Sequence, residues 1–246
     1  MKDNSKRAIV YVCWGQKFIN EALASARTTD FLGIDRILIT TEESLVFLPA
    51  SHPFARVVAH AFALPGLLCK TEMAALLPGV YDSFLFLDTD TRVLLDVTFG
   101  FEKAEAHGIA AVMAPHYSLE HFWGFGRMLD QVGHPHVDTL QYNTGVLFFS
   151  RRPDAWKVLE GWHRMCAELG GGPFDNDQPF LTLAMERQGF NPYTLSPAYN
   201  YRNMGGQISG LIRIWHSHLP PPPDVNVFTE PWPPRSFKDN VRTEHR

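Results

Sequence analysis

The chain has 246 residues, 45% hydrophobic and 20% charged, a globular composition with enough apolar material for one large core. Its net charge is −4, and beyond Lys6–Arg7 and Arg151–Arg152 its basic residues do not cluster, which argues against nucleic acid as the main partner. Three cysteines with no CxxC pair argue against a disulfide framework or a thiolate zinc site. The opening apolar run lacks a signal-peptide cleavage pattern, and no stretch nears the ~18 apolar residues of a membrane span, so a soluble, cytoplasmic chain with no transmembrane segment is expected.

Taken in order, the apolar and β-branched run Ala8 to Cys13 predicts a buried strand, with a turn at Gly15 and a helix over Phe18 to Thr28. Arg36 to Thr40 predicts a second strand, and Ala55 to Ala63 holds a third. Cys69, Met73 and Leu76, spaced i, i+4, i+7, predict a helix over Leu67 to Leu77 that Pro78–Gly79 stops. A strand follows at Ser83 to Leu87, then a short one at Val93 to Leu95. A helix is read at Glu102 to His107, and strands at Ile109 to Met113 and Val146 to Ser150. Pro153 opens a long amphipathic helix through Leu169, and Pro179 to Gln188 forms another. Leu211 to Trp215 predicts a late strand, and the proline-rich tail, about 219–246, is expected to be extended. Strands alternating with helices predict one α/β domain over 1–246, an α/β/α sandwich on a mostly parallel mixed sheet. Ligands in such sheets bind past the carboxyl ends of the strands.

Four constellations fall at such boundaries. In SFLFLDTDTRVLLDV, Asp88 and Asp90 leave a wholly apolar strand, where charges are rare unless paired or bound to a metal. Two acids one residue apart past a strand end can turn to one hard divalent cation, although a solvated turn explains them too. In YNTGVLFF, the Asn143 amide can bind a hydroxylated ligand beside Gly145, or both can form an ordinary turn. In FDNDQPF, one of Asp175, Asn176 or Asp177 is accounted for as a helix N-cap, worth about 1 kcal/mol. The others, with Gln178, crowd the same helix start. In IRIWHSH, His216 and His218 stand on one face at a strand end, as metal ligands or as satisfied histidines. The cluster His121, Phe122, Trp123 and Phe125 suits sugar stacking in an acceptor site or a packed loop.

In this order, over roughly residues 8 to 218, the pieces resemble the nucleotide-sugar glycosyltransferases of the GT-A fold, most closely the glycogenin-like family and its relatives. The pieces are AIVYVCWGQKFINEAL, CKTEMAALLPGVYDSFLFLDTDTRVLLD, YNTGVLFF, NDQPFL, LSPAYNYR and IRIWHSH. The resemblance implies a retaining, metal-dependent hexosyltransferase that uses a nucleoside-diphosphate sugar, with a UDP-sugar favoured, and a glycan or small-molecule acceptor. It implies that Asp88, Asp90 and His216 hold Mn²⁺ or Mg²⁺. It places Val12, Cys13 and Trp14 at the nucleoside, and Lys70, Thr89, Asn143 and Gly145 at the donor. Asp177 and Gln178 fall near the anomeric carbon. Where the family continues its histidine with Gly and then Lys-Pro-Trp, this chain has Ser217, His218 and LPPPP. The family's phosphate lysine is then either missing or replaced by another cation, such as Lys238 or Arg202. The alternatives are a non-catalytic nucleotide-sugar-binding protein on the same fold and a DxD-type phosphotransferase. Against the latter, the DxD lies mid-chain and Arg92 stands where a Thr or Val is usual.

Overall fold

A computed structural model describes residues 6–171, 174–202, 204–208, 210–227 and 235–238; for 115–117, 204–207 and 235–238 it describes the backbone alone. In chain order the elements are β1 (Arg7–Val12), α1 (Gly15–Arg27), β2 (Asp35–Thr40), β3 (Arg56–Ala59), α2 (Met73–Leu76), β4 (Ser83–Leu87), β5 (Thr91–Val93), α3 (Thr98–His107) and β6 (Ile109–Ser118). Then come α4 (Phe125–Gln131), β7 (Leu140–Ser150), α5 (Pro153–Leu169), α6 (Gln178–Gln188), β8 (Tyr193–Leu195), β9 (Tyr201–Arg202), β10 (Met204–Ile208), β11 (Ile214–His216) and β12 (Arg235–Lys238).

Seven strands form one sheet in the order β3-β2-β1-β4-β7-β6-β8. The pairs β3–β2, β2–β1, β1–β4 and β6–β8 are parallel, and β7 runs antiparallel to both its neighbours. The mostly parallel mixed sheet expected from the sequence is therefore the one observed. Its central strands are apolar along their length because helices cover both faces. Ile9, Tyr11, Leu38, Leu85, Leu87 and Phe148 pack toward α1 and α3. Val10, Ile37, Ile39, Phe84, Phe86 and Phe149 point the other way, into a core with α4, α5 and α6. Neighbours in sequence thus serve opposite layers, as the two-residue period of a strand requires. The fit is tight on both sides: Phe84 and Phe149 stack at 5.2 Å, and Phe101 meets Phe148 edge-on at 5.3 Å.

Several boundaries differ from expectation. The stretch read as a helix over Leu67 to Leu77 is mostly a 3-10 segment, Gly66–Glu72, with true helix only at Met73–Leu76. Five successive residues from Leu68 to Glu72 are buried, so packing on all sides governs this segment and an amphipathic period does not. The third strand stops at Ala59. Farther on, the Ala63 and Leu64 amides donate to the Glu72 carboxylate (3.0 and 2.8 Å), which closes a loop in place of a ladder. The short strand after the two acids is Thr91–Val93, and the late strand is Ile214–His216, each displaced from the reading because the two pair with each other. Over 219–227 the tail turns where an extended run was expected, whereas Arg235–Lys238 is the extended strand β12. Val225 N–H donates to Pro222 O, and the Asn226 side chain bonds both the N–H and the C=O of Ile212. This seats Val225 beside Tyr201, Ile212 and Trp215. The EPWPP segment lies outside the described residues.

Candidate active site

The site stands past the carboxyl end of β4. Asp88 N–H donates to Gly145 O at 2.8 Å, which continues the β4–β7 ladder by one rung. The chain then turns sharply, with Thr91 N–H and Oγ1–H both donating to Asp88 O (3.2 and 2.8 Å). That turn points Asp88 and Asp90 to one side. Strand β5 leaves it and pairs antiparallel with β11, placing His216 opposite Thr91, and Ser217 N–H donates to Asp90 O at 3.0 Å. The register of two three-residue strands therefore brings an imidazole from the far end of the chain onto both acids.

Ligand atoms of Asp88, Asp90 and His216 all lie within 4.8 Å of one another. His216 Nε2 is 3.2 Å from Asp90 Oδ1 and 3.7 Å from Asp88 Oδ2. Of the two histidines it is the buried one. His218 is exposed and reaches Asp90 at 3.8 Å and Glu21 at 3.4 Å. Burial acts to raise the Asp90 carboxyl, but the adjoining His216 imidazole, aided by His218 and Arg202, holds it well below the usual carboxylate range. Gly145 is essential to this packing: a Cβ there would lie 2.2 Å from His216 Cε1 and 2.5 Å from Asp88 Oδ2.

Lys70 lies between two carboxylates, with Nζ 3.3 Å from Asp88 Oδ1 and 3.1 Å from Asp177 Oδ1. Thr144 Oγ1 accepts from the same ammonium at 3.4 Å. Burial acts to lower the Lys70 pKa, and the two carboxylates more than reverse it, so the ammonium is retained. Burial pushes the Asp177 carboxyl up, and the Lys70 charge offsets only part of this. Asp177 occupies the N-cap position of α6 yet makes no side-chain capping bond. The capping account of this aspartate therefore fails, because the carboxylate turns inward to the buried ammonium. Asn176 instead supplies the short-range bond, its Oδ1 accepting Gln178 N–H at 3.0 Å.

Gln178, Asn143, Gln141 and Asn200 form a buried amide cluster behind His216. Gln141 and Asn200 were not among the residues expected at the site. LSPAYNYR carries the only sequence hint of Asn200, and Gln141 gives no sign of its role. The remaining expected residues sit at the same edge. Val12 ends β1, buried Cys13 follows with its N–H on Ile39 O, and Trp14 tilts against Phe62 at 5.6 Å. Thr89 Oγ1–H donates to Glu21 at 2.9 Å, so its hydroxyl is engaged inside the protein. Cys13, Cys69 and Cys166 are free and buried. Burial pushes each thiol up, Cys69 to about 12, away from the thiolate form that a nucleophile needs. Of the aromatic cluster, Phe122 and Phe125 belong to the core, while Trp123 is 76% exposed and His121 also faces solvent. Arg202 is exposed; Lys238 is described only by its backbone.

This architecture is the α/β/α glycosyltransferase fold. The glycosyltransferase GlyE of Streptococcus pneumoniae TIGR4 superposes with a TM-score of 0.56 at 14% identity, covering 92% of this chain and 57% of its own length. Mouse xyloside xylosyltransferase 1 gives 0.52 at 15% identity, covering 87% of this chain and 97% of that one. WbbM, a bifunctional glycosyltransferase, gives 0.55 at 13% identity, and this chain spans 41% of it. No protein-family model and no curated protein matches the sequence.

Proposed function

We propose that this chain is a divalent-metal-dependent glycosyltransferase of the hexosyltransferase type. It would move a sugar from a nucleoside-diphosphate sugar, a UDP-sugar by preference, to a glycan or small-molecule acceptor, with retention at the anomeric carbon. The observation that carries this reading is the Asp88–Asp90–His216 group at the ligand-binding edge of a glycosyltransferase fold. Two carboxylates and an imidazole suit Mn²⁺ or Mg²⁺. Gly145 keeps the space beside them clear of side-chain atoms.

When bound, such a cation would neutralise the diphosphate leaving group. The chain's own residues would do the rest. Val12, Cys13 and Trp14, at the end of β1, would hold the nucleoside, and Trp14 offers a ring face for the base. Thr89, between the two candidate metal ligands and with its hydroxyl held by Glu21, would order the turn that seats the donor. Asn143, with Gly145, would line the sugar pocket. Asp177 and Gln178 would face the anomeric carbon, where charge builds in an oxocarbenium-like state, either stabilising it or attacking it. Lys70 would hold Asp88 and Asp177 at fixed separation, because it bonds both. The distances among Lys70, Asp88 and Asp177, and the burial of the last, support that assignment.

Asp90→Asn removes a ligand charge without changing shape. It is expected to abolish Mn²⁺-dependent binding of the donor in calorimetry. Tight, metal-dependent binding retained by that variant would sink the metal assignment.

A further inference from the structure

The amides behind His216 make a continuous chain with a single direction. His216 Nδ1 lies 2.7 Å from Asn200 Oδ1. Asn200 Nδ2 donates to Asn143 Oδ1 at 2.7 Å, Asn143 Nδ2 to Gln178 Oε1 at 2.8 Å, and Gln178 Nε2 to Gln141 Oε1 at 2.8 Å. The oxygen and nitrogen of a side-chain amide can be exchanged by rotation, so such a chain could in principle run either way. Here it cannot. Gly145 N–H also donates to Asn143 Oδ1, at 2.9 Å, and a backbone N–H can only donate. It fixes Asn143 with its oxygen toward Asn200. Asn200 must then present its amino group to Asn143 and its oxygen to the imidazole, so Nδ1 of His216 must carry the hydrogen.

We propose that Asn200 is a positioning residue for His216. Through this chain, polarised by the Gly145 amide, it holds the imidazole with its proton on Nδ1 and its Nε2 turned to the carboxylates of Asp88 and Asp90. The placement is rigid. Asn200 is 5% exposed and immediately precedes β9, which pairs in parallel with β11 and sets Tyr201 opposite Trp215 and Arg202 opposite His216. Two carboxylates that only accept then surround Nε2, so the spot between them favours a positive centre. This inference rests on the function proposed above in taking that centre to be a divalent cation. It adds that the same chain reaches Gln178, so the metal ligand and the residue placed at the sugar share one hydrogen-bonded frame.

The test has a metal-free arm and a metal arm. In the metal-free protein, nitrogen-15 NMR of labelled histidine should show a hydrogen-bonded Nδ1–H on His216 in the wild type, lost in Asn200→Ala. A neutral ring carrying its proton on Nε2 in the wild type would overturn the inference. In the metal arm, Mn²⁺ affinity is read by electron paramagnetic resonance for the wild type, Asn200→Ala, His216→Ala and the double variant. Loss of an outer partner of a metal-binding histidine typically weakens metal binding about 10- to 100-fold. Asn200→Ala should show such a loss alone and no further loss when His216 is already Ala, because its effect passes through that ring. Equal losses in both backgrounds, or none in either, would overturn it. A wild type that binds no Mn²⁺ contradicts the proposed function, and the Nδ1 signal still decides this inference.

Discussion

At the scale of single residues, the site is a problem of placing two acids in an apolar setting. Asp88 meets the Lys70 ammonium at 3.3 Å, and Asp90 stands 3.2 Å from Nε2 of His216. Gly145 makes that approach possible, and it is the position where the smallest change should have the largest effect. Gly145→Ala forces a methyl group against His216 and Asp88, and should remove detectable Mn²⁺ binding while leaving the far-ultraviolet circular dichroism unchanged. Wild-type affinity in that variant would mean that the group does not hold the ion. The two histidines should separate cleanly. His216→Ala should weaken Mn²⁺ binding at least tenfold, whereas the exposed His218 should tolerate the same change with little loss; the reverse order in a metal titration would name His218 as the ligand. Asp177→Ala and Gln178→Ala should lower kcat far more than donor affinity, since their proposed interactions strengthen only as charge develops; equal losses in both would mean a binding role.

Asp88 and Asp90 stood out as candidates because acids at the end of an apolar strand need compensation, whereas His216 was singled out from His218 only through the family resemblance. Lys70 entered only through the resemblance, as a donor contact; its place as a buried cation between Asp88 and Asp177 left no local mark, because those partners lie 18 and 107 positions away in sequence. Asn200 and Gln141 were missed for the same reason. A buried amide looks like any turn or surface residue until the fold supplies its partners.

At the scale of elements, periodicity served best where a segment packs against one layer. The helix α5, Pro153–Leu169, was read to the residue because Pro153 opens it and its buried side chains repeat with helical spacing. Trp162 is its anchor: fully buried, with Nε1–H donating to Asp177 O at 2.9 Å. Trp162→Ala should cost about 3–5 kcal/mol in chemical denaturation. A loss below 1 kcal/mol would show that this helix is not a main support of the site. Periodicity failed where burial is complete or polar. The 3-10 segment Gly66–Glu72 has no solvent face, and β7 begins at Leu140, six residues before the apolar run that marked it. Those first six residues include Gln141, Asn143 and Thr144, whose polar side chains make buried hydrogen bonds to Gln178, Asn200 and Lys70.

At the scale of the whole molecule, a parallel β1–β4 pair and an antiparallel β7 bring three chain segments to one edge. A late three-residue strand carries the histidine back to the acids. Alternating strands and helices made the α/β class and the layers legible. The strand order and the reversal of β7 were not, since pairing between distant segments leaves no local mark. Among the described residues, no helix is long and apolar enough to cross a membrane.

The central claim is that this fold binds a nucleotide sugar through a cation held by Asp88, Asp90 and His216. The most direct test is thermal unfolding against a panel of UDP-, GDP-, CMP- and TDP-sugars, each with Mn²⁺ and with EDTA, because a ligand that binds only the native state raises the melting temperature. The account predicts a rise for a UDP-sugar that disappears in EDTA and in Asp90→Asn. No rise with any member of the panel, or a rise unchanged by EDTA, would contradict it.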